Sequence, residues 1–364
     1  MRKIKILHIV NGMNRAGAET FLMNVFRNID RNKYDFTFLC YGQEKYDYED
    51  EIEELGGHIA RVDVPKDIGI FNHIKQLKKL IKENKYDIVH AHTYYNSGFS
   101  MLASYLCGVK LRITHSHNIQ SEYKPSISKR IYYLFSKILI LLFSNKYLAC
   151  TKDAGKSLFG KSKFDVVNNG IQLENFLFKE QERIRIRKEL EINDNDIVIG
   201  HIGRFEKQKN HEFLINIFEQ LKFINKNYKL VLIGKGKLKE KIENIAKDKG
   251  LDKNIIFLGT KPDIYKYYNL FDIFIFPSYF EGLGIVLIEA QANGLKCYVS
   301  DTVPKDVNVS REVEFLSLSL TPEEWAKKVV NSNNNRIVNM DFLKDSSYDI
   351  NNTVKQLELI YQRR

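Results

Sequence analysis

Short apolar runs rich in β-branched residues alternate with amphipathic segments along almost the whole chain, and this alternation restricts the fold more than any other feature. Runs such as residues 4–10 and 197–202 have the length of one buried strand. Segments between such runs, for example 74–82 and 213–223, repeat their apolar residues with a helical period. Strands that alternate with helices predict doubly wound α/β domains, each built on a buried parallel sheet.

The strand-like runs form two series, and a length of 364 residues exceeds the size at which a single core usually stops growing. The first series is predicted at residues 4–10, 36–41, 59–64, 88–92, 113–117, 146–149 and 165–168. The second is predicted at 197–202, 229–233, 255–258, 273–276 and 296–300. We therefore expect an N-terminal domain at residues 1–175 and a C-terminal domain at 190–345. A final helix at 348–364 is expected to pack back on the first domain.

One charged cluster follows the first strand of the second series. The stretch 203–210 reads Gly-Arg-Phe-Glu-Lys-Gln-Lys-Asn, with Arg204 at the strand end and Lys209 at a helix start. In open α/β sheets, ligands bind at the carboxyl ends of strands. Two cations beside a helix N-terminus suit a diphosphate.

A second, glycine-rich cluster follows the predicted strand at 273–276. Gly282 and Gly284 permit a close backbone approach to a ligand, and a helix then begins. Glu289, one to two turns into that helix, has two carboxylate oxygens that could accept hydroxyl hydrogen bonds from a ribose. Glu281 lies on the loop, where it could reach the hydroxyls of a sugar.

Together the two clusters resemble glycosyltransferase family 4, which shows G-R-x-x-x-x-K-N and E-x(7)-E in this order. The resemblance extends to residues 11–20, 88–92, 114–118, 169–171 and 289–292. It is closest to the branch that builds bacterial capsular or exopolysaccharides. It implies the GT-B fold, in which two Rossmann-like domains with doubly wound parallel sheets face each other across a cleft.

The resemblance also implies an activity, which is the transfer of a hexose or N-acetylhexosamine with retention of configuration. The donor would be a nucleoside-diphosphate sugar, expected to be a UDP-sugar, and the acceptor a saccharide or a lipid-linked saccharide. No cofactor and no metal are expected. The alternatives are an enzyme similar to UDP-N-acetylglucosamine 2-epimerase, which has the same fold, and a catalytically silent subunit that binds nucleotide sugars.

The site residues implied by the resemblance lie mostly in the C-terminal domain. His117, Arg204, Lys209 and Glu281 are the catalytic candidates, with His117 near the sugar and acceptor and the two cations on the leaving diphosphate. Donor binding is assigned to Gly17, Gly203, Arg204, Lys209, Gly234, Gly236, Thr260, Lys261, Glu281, Gly282, Leu283, Gly284, Ile285 and Glu289.

Two other patterns have the form of metal sites. His90 with His92 and His115 with His117 are H-x-H pairs, and residues i and i+2 of a strand share a face, so zinc binding is one interpretation. We expect instead that one histidine of each pair faces the cleft, with His117 preferred over His115, while the other packs. The D-x-D sequence at 194–196 precedes a strand in a polar segment and is interpreted as a turn.

Residues 110–163 are strongly basic, with eleven Lys or Arg residues against Glu122 and Asp153. An apolar run at 131–143, interrupted by Lys137, is too short and too charged to span a bilayer. It is either a buried helix with a solvated basic face or a helix that lies on an anionic membrane surface. Nucleic-acid binding is not expected, because no recognition motif accompanies the charge.

The expected location is the cytoplasm, with peripheral attachment to the inner face of the cell membrane. The first ten residues lead directly into a strand pattern and lack the features of a signal peptide. The four cysteines are far apart in the sequence, which is typical of reduced thiols rather than of a disulfide framework.

Overall fold

The computed structural model describes residues 2–117, 126–331, 333, 335–337 and 347–363, and these residues form two α/β units. Their strands are β1 (Ile4–Ile9), β2 (Tyr34–Tyr41), β3 (His58–Val62), β4 (Ile88–Ala91), β5 (Leu111–Ser116), β6 (Lys146–Ala149), β7 (Asp165–Val166), β8 (Ile197–Ile202), β9 (Tyr228–Ile233), β10 (Ile255–Gly259), β11 (Ile273–Phe276), β12 (Lys296–Ser300) and β13 (Val313–Leu316). Their α-helices are α1 (Gly17–Asn28), α2 (Glu49–Glu54), α3 (Pro65–Ile68), α4 (Ile70–Asn84), α5 (Ser97–Leu106), α6 (Ile127–Phe143), α7 (Lys152–Phe159), α8 (Glu180–Glu189), α9 (His211–Ile224), α10 (Lys239–Asp248), α11 (Ile264–Tyr267), α12 (Ile285–Ala292), α13 (Pro322–Asn331) and α14 (Ile350–Gln362).

The first unit comprises Met1–Ile171 and Ser347–Arg364. Its sheet is parallel throughout, in the order β3-β2-β1-β4-β5-β6-β7, so the direction of strand addition reverses between β1 and β4. Successive residues of β1 enter different cores: Ile6 packs with α1 and α14, whereas Leu7 packs with α4 and α5. Burial on both faces explains why these strands are continuous apolar runs rather than alternating ones.

The last helix, α14, belongs to the first unit. Asp349 caps it by accepting a hydrogen bond from the backbone N–H of Asn351 (2.6 Å). Its buried face, which includes Leu357 and Tyr361, packs in the same core as α1. Gly170 permits close contact, because a Cβ there would lie 2.9 Å from the Cα of Ile350.

The second unit comprises Gln172–Ser346. Its parallel sheet has the order β10-β9-β8-β11-β12-β13, which reverses between β8 and β11. Residues 176–189, between the two predicted domains, contain α8, which belongs to this unit. Its Arg183 donates to the Oδ1 atom of Asp272, 2.7 Å away, just before β11. Strand β13 was not predicted from the sequence.

The predicted fold class is confirmed, since both units are Rossmann-like with parallel sheets. The predicted strands correspond to β1–β12, with ends shifted by a few residues. β2, for example, begins at Tyr34 instead of Phe36.

Candidate functional site

The candidate site in the second unit lies where its sheet order reverses. β8 and β11 are neighbours there, and a loop follows the carboxyl end of each. In open α/β sheets such a switch point forms the ligand-binding crevice. The two charged clusters of the sequence occupy these two loops, 203–210 after β8 and 277–284 after β11.

The loop after β8 presents one exposed and one partly buried cation. Arg204 is exposed, and within the described residues its guanidinium has no hydrogen bond or ion pair. The Lys209 side chain lies alongside Gly203, where a Cβ would be 3.2 Å from the Lys209 Cγ and Cδ atoms. Gly203 therefore leaves room for the Lys209 stem at the end of β8.

Two glycines after β9 let that loop approach the loop after β8. A Cβ at Gly234 would lie 2.0 Å from the carbonyl oxygen of Gly203, and one at Gly236 would lie 2.5 Å from that of Phe205. Backbone hydrogen bonds link the same loops, from Phe205 N–H to the Lys235 oxygen (3.0 Å) and from Gly203 N–H to the Ile233 oxygen (3.0 Å). No larger residue fits at either position without moving backbone, so the glycines fix the shape of the site.

Lys209 connects the two loops of the switch point. Its Nζ atom donates to Glu281 Oε1 at 2.7 Å and lies 4.6 Å from the centre of the Phe276 ring. The two side chains are only 13% and 7% exposed, so the ion pair is largely shielded from water. Backbone contacts reinforce it, since the Tyr279 N–H donates to the Gln208 oxygen at 2.8 Å. The ammonium has three donors, and Glu281 uses one of them.

Helix α12 starts at the second loop and carries Glu289. Gly284 takes the left-handed conformation (φ 81°) just before the helix, which glycine adopts without strain. The first N–H groups of a helix have no partner within it, so those of Ile285 and its neighbours suit an anionic ligand. Leu283 is buried beneath this turn.

Glu289 is a buried carboxyl group, and two opposing effects set its pKa. Burial raises its pKa from 4.5 to about 7, and a hydrogen bond from Tyr268 Oη to Glu289 Oε2 (2.5 Å) opposes the rise. Tyr268 is itself fully buried. The sequence analysis missed Tyr268, which belongs to no motif and lies 21 residues from its partner along the chain.

The remaining predicted residues divide between the two units. Thr260 and Lys261 follow β10, and the carbonyl of Gly259 accepts from the N–H of Gly234 (2.8 Å), which connects them to the glycine loop. Gly17 and His117 lie in the first unit. Gly17 begins α1 after β1, and nothing lies within 4 Å of where its Cβ would be.

His117 belongs to a cluster of five buried histidines. The members are His8, His90, His92, His115 and His117, from the neighbouring strands β1, β4 and β5 or the residues just after them. His92 and His117 lie just past the ends of their strands and are 7% and 8% exposed, whereas His90 and His115 are fully buried, so the preference for His117 over His115 stays a prediction. Both members of each pair share a face, with ring centres 4.2 Å apart for His90–His92 and 4.1 Å for His115–His117.

Burial keeps the imidazoles of the cluster neutral. It lowers the pKa of His8 and His117 to about 3, and it also places the pKa values of the other three well below 6.5. His8 was missed from the sequence because it has no H-x-H partner on its own strand. The pairing of β1 with β4 shows that His8 belongs to the cluster, because it places His8 opposite His90.

The D-x-D sequence lies at the amino end of β8, the opposite end from Arg204. Asp196 Oδ2 accepts from the N–H of Asn193 (3.0 Å), and its backbone oxygen accepts from Arg187 (2.7 Å). These contacts form a turn, as the sequence suggested.

Helix α6 carries the apolar run of the basic segment and is packed on one side only. Ser136, Leu139 and Ile140 are buried, and Gly98 of α5 approaches closely, since a Cβ there would be 2.5 Å from the Ser136 carbonyl oxygen. Its opposite face exposes a stripe of large apolar side chains: Ile127, Ile131, Leu134, Phe135, Ile138, Leu141 and Leu142. Residues 118–125 of the basic segment, including Asn118 and Glu122, lie outside the described residues.

Comparison with known proteins identifies the family. The model described as Glycosyltransferase Family 4 matches residues 15–175, and that described as Glycosyl transferases group 1 matches 182–339. EpsF of Bacillus subtilis (strain 168) is 35% identical to this chain, over 98% of this chain and 96% of the length of EpsF. Its name describes it as a glycosyltransferase only provisionally. The chain belongs to the family 4 glycosyltransferases. Both loop clusters of this glycosyltransferase fall within the group 1 match.

One further relative is named for capsular polysaccharide biosynthesis and another for the transfer of galactose. The capsular polysaccharide biosynthesis glycosyltransferase CapH of Staphylococcus aureus is 30% identical over 99% of both chains. A UDP-Gal:alpha-D-GlcNAc-diphosphoundecaprenol alpha-1,3-galactosyltransferase of Escherichia coli is 25% identical over 93% of this chain and 90% of its own. The predicted resemblance to this family and its capsular branch is confirmed.

Solved structures show the same GT-B fold. Anabaena HepE in complex with UDP-glucose has a TM-score of 0.82 at 17% identity, covering 99% of this chain and 100% of its own. WaaG, a glycosyltransferase involved in lipopolysaccharide biosynthesis, has a TM-score of 0.69 at 13% identity, covering 97% and 95%. In the described part of the glycosyltransferase, no helix is long and apolar enough to cross a membrane.

Proposed function

We propose that this glycosyltransferase transfers a hexose or N-acetylhexosamine from a UDP-sugar to a saccharide or lipid-linked acceptor in cell-surface polysaccharide synthesis. The observation that carries the proposal is the switch point of the second sheet, where Arg204, Lys209 and Glu281 lie on adjoining loops before α12. HepE has been crystallised with UDP-glucose, and the Escherichia coli relative is named for a UDP-Gal donor and a diphosphoundecaprenol acceptor. Both support the donor class, and the name of the Escherichia coli relative also supports the acceptor class.

The donor would bind in the second unit by its diphosphate. Arg204 and the two remaining donors of Lys209 would hold phosphate oxygens, together with the first N–H groups of α12. Glu289 would accept the ribose hydroxyls. Glu281 would hold Lys209 in place and accept hydroxyls of the sugar.

Transfer would proceed on one face of the sugar with retention. The bond between the anomeric carbon and the β-phosphate oxygen breaks while the acceptor oxygen bonds to the same face, and the acceptor proton passes to a β-phosphate oxygen. Arg204 and Lys209 would stabilise the negative charge that grows on the leaving UDP. Once the bound diphosphate holds them in place, these cations need no reorganisation during the reaction, and the mechanism invokes no metal. His117 of the first unit would serve the acceptor side.

Substitution of Arg204 tests the proposal. Because its guanidinium is exposed, Arg204→Ala should leave folding intact and lower kcat by about 10²–10³. Lys207→Ala is the matched control, since Lys207 is an exposed cation in the same loop. Activity would be followed as UDP release with a panel of UDP-hexoses and a lipid-diphosphate saccharide, and the product configuration by NMR. Wild-type turnover in Arg204→Ala would refute the phosphate assignment.

The same assay separates the two alternatives. A sugar epimerised without acceptor would favour the 2-epimerase interpretation. Donor binding, seen as a thermal shift, without slow hydrolysis or transfer would favour a silent subunit.

We further propose that α6 attaches the enzyme to an anionic membrane surface. Its exposed stripe recurs at a helical spacing, and exposed Lys129 and Arg130 lie at its start within a segment of net charge +9. Apolar side chains would enter the headgroup region while lysines and arginines meet anionic lipid.

Liposome sedimentation tests the membrane proposal. The wild type should sediment with anionic vesicles at low salt and much less with zwitterionic vesicles or at high salt. Leu134→Ser with Leu142→Ser should weaken binding. Phe223→Ser is the matched control, because Phe223 is 90% exposed on α9 of the other unit. Equal binding by all variants, or no sedimentation of the wild type, would exclude the α6 surface.

A further inference from the structure

The histidine cluster of the first unit has more nitrogen atoms than hydrogen-bond partners. His8, His90 and His115 are fully buried, and His92 and His117 are less than 10% exposed. In the described residues, neither ring nitrogen of His115 has a partner, and neither do His8 Nε2 and His90 Nε2. A buried polar atom without a partner costs about 1–3 kcal/mol, so an apolar core would not by itself favour five imidazoles here.

Three of these imidazoles converge around one point. His8, His90 and His92 each offer a ring nitrogen, and the three nitrogens lie within 4.8 Å of one another. His8 Nδ1 and His92 Nε2 are 3.2 Å apart. Two nitrogens bound to one zinc ion at about 2.0–2.1 Å in tetrahedral geometry would be separated by roughly 3.3–3.4 Å.

His90 and His92 each have a second ring nitrogen that lies close to a residue outside this group of three histidines. His90 Nδ1 lies 3.0 Å from Tyr361 Oη, which leaves His90 Nε2 for a ligand. His92 Nδ1 lies 2.9 Å from His117 Nε2, which leaves His92 Nε2 directed at His8. Histidines that bind metals are usually oriented in this way by a second hydrogen bond.

We propose that His8, His90 and His92 bind one divalent transition-metal ion, with Tyr361 and His117 as positioning residues. Imidazole nitrogen suits Zn²⁺, Cu²⁺ and Ni²⁺, whereas Mg²⁺ and Ca²⁺ prefer oxygen ligands, which this triad lacks. The ion would join β1 to β4 where the first sheet reverses its order. The three ligands take no part in the proposed transfer chemistry, which invokes no metal, although His117 is assigned to both.

Metal content of the full-length chain, prepared without a polyhistidine tag, tests the proposal. After removal of metal and dialysis against Zn²⁺, the wild type should retain about one zinc per chain. With Co²⁺ it should show the strong visible absorption of a tetrahedral nitrogen site. Zinc should raise the melting temperature, and Mg²⁺ should neither bind nor compete.

Variants locate the ion. His90→Gln should weaken zinc binding by at least about tenfold, and His117→Gln should weaken it by a smaller factor. His73→Gln is the matched control, since His73 is also buried in the first unit but bonds to the Asp63 carbonyl oxygen, outside the cluster. It should bind zinc as the wild type does.

Three results would overturn the proposal. One is a wild type that binds less than one zinc per chain, which is expected if the imidazoles are neutral and only hydrogen-bonded to one another. Another is an octahedral cobalt spectrum, and the third is undiminished zinc binding by a folded His90→Gln variant. If that variant does not fold, the stoichiometry and the cobalt spectrum of the wild type decide the question.

Discussion

Replacing Glu289 with glutamine should stabilise the unliganded protein at alkaline pH while weakening donor binding. Burial raises the pKa of Glu289 from its ordinary 4.5 to about 7. The folded state therefore holds this proton more tightly than the unfolded state does. Protonation of Glu289 therefore contributes to the free energy of unfolding, and this contribution is fully present below pH 4.5. It is lost as the pH rises through 7, which lowers the free energy of unfolding by about 3 kcal/mol.

Glutamine cannot ionise and keeps an oxygen that can accept from Tyr268. Relative to wild type, Glu289→Gln should therefore be nearly neutral at pH 5 and about 2–3 kcal/mol more stable at pH 8. For a unit of this size that difference corresponds to roughly 4–12 °C in melting temperature. Loss of a charge-assisted bond to ribose, worth about 1.5–3 kcal/mol, should weaken donor binding roughly 10- to 100-fold.

Scanning calorimetry at both pH values and titration calorimetry with UDP-sugar measure the two effects. Glu240→Gln is the control, since Glu240 is an exposed carboxylate on α10 of the same unit. Equal stabilisation at pH 5 and pH 8, or none at pH 8, would refute the burial argument. Unchanged donor affinity would refute the ribose assignment and leave the stability argument intact.

Three further predictions concern the same unit, and one concerns the reaction. Tyr268→Phe removes the bond that lowers the pKa of Glu289, so donor affinity at pH 7 should fall about tenfold and recover towards pH 9 in binding titrations. Gly236→Ala should lower the free energy of unfolding by about 1–3 kcal/mol, measured by denaturant titration, because its Cβ meets backbone. Lys209→Ala should lower the free energy of unfolding by about 3–5 kcal/mol, because it leaves the Glu281 carboxylate buried without its cation. It should also slow transfer. Lys209→Ala combined with Glu281→Ala should recover stability but not activity. Initial rates of transfer in excess EDTA should match those without it and should not rise with Mg²⁺ or Mn²⁺.

The strands and the two charged loop clusters were predictable because each is a local pattern. Buried parallel strands are apolar over their whole length, and the loops carry glycine and charge at fixed spacing. β13 escaped prediction because its four residues, Val313–Leu316, include a glutamate and make a short run. Residues 176–189 were assigned to neither domain, because the ion pair that fixes α8 joins Arg183 to Asp272, which is far away in sequence.

The partners of the functional side chains were not predictable, because sheet order rather than sequence distance brings them together. Tyr268 reaches Glu289 across the second unit, and no motif includes it. His8 joins the cluster only because β1 and β4 are neighbours in register. The shared face of each H-x-H pair was predictable, because residues i and i+2 of a strand point the same way.

The two cations of the loop after β8 differ in a way that only the structure reveals. Arg204 is exposed, so a ligand must restrict its rotation when it binds, whereas Lys209 is already held by Glu281 and the Phe276 ring. A preset cation loses little side-chain entropy on binding, whereas Arg204 must first be ordered by the diphosphate before it can act as a fixed charge. Since Glu281 neutralises Lys209 in the unliganded state, the second unit can keep that ammonium largely buried before a diphosphate arrives. The ion pair therefore both stabilises the loop and holds the Lys209 ammonium in position before the ligand binds.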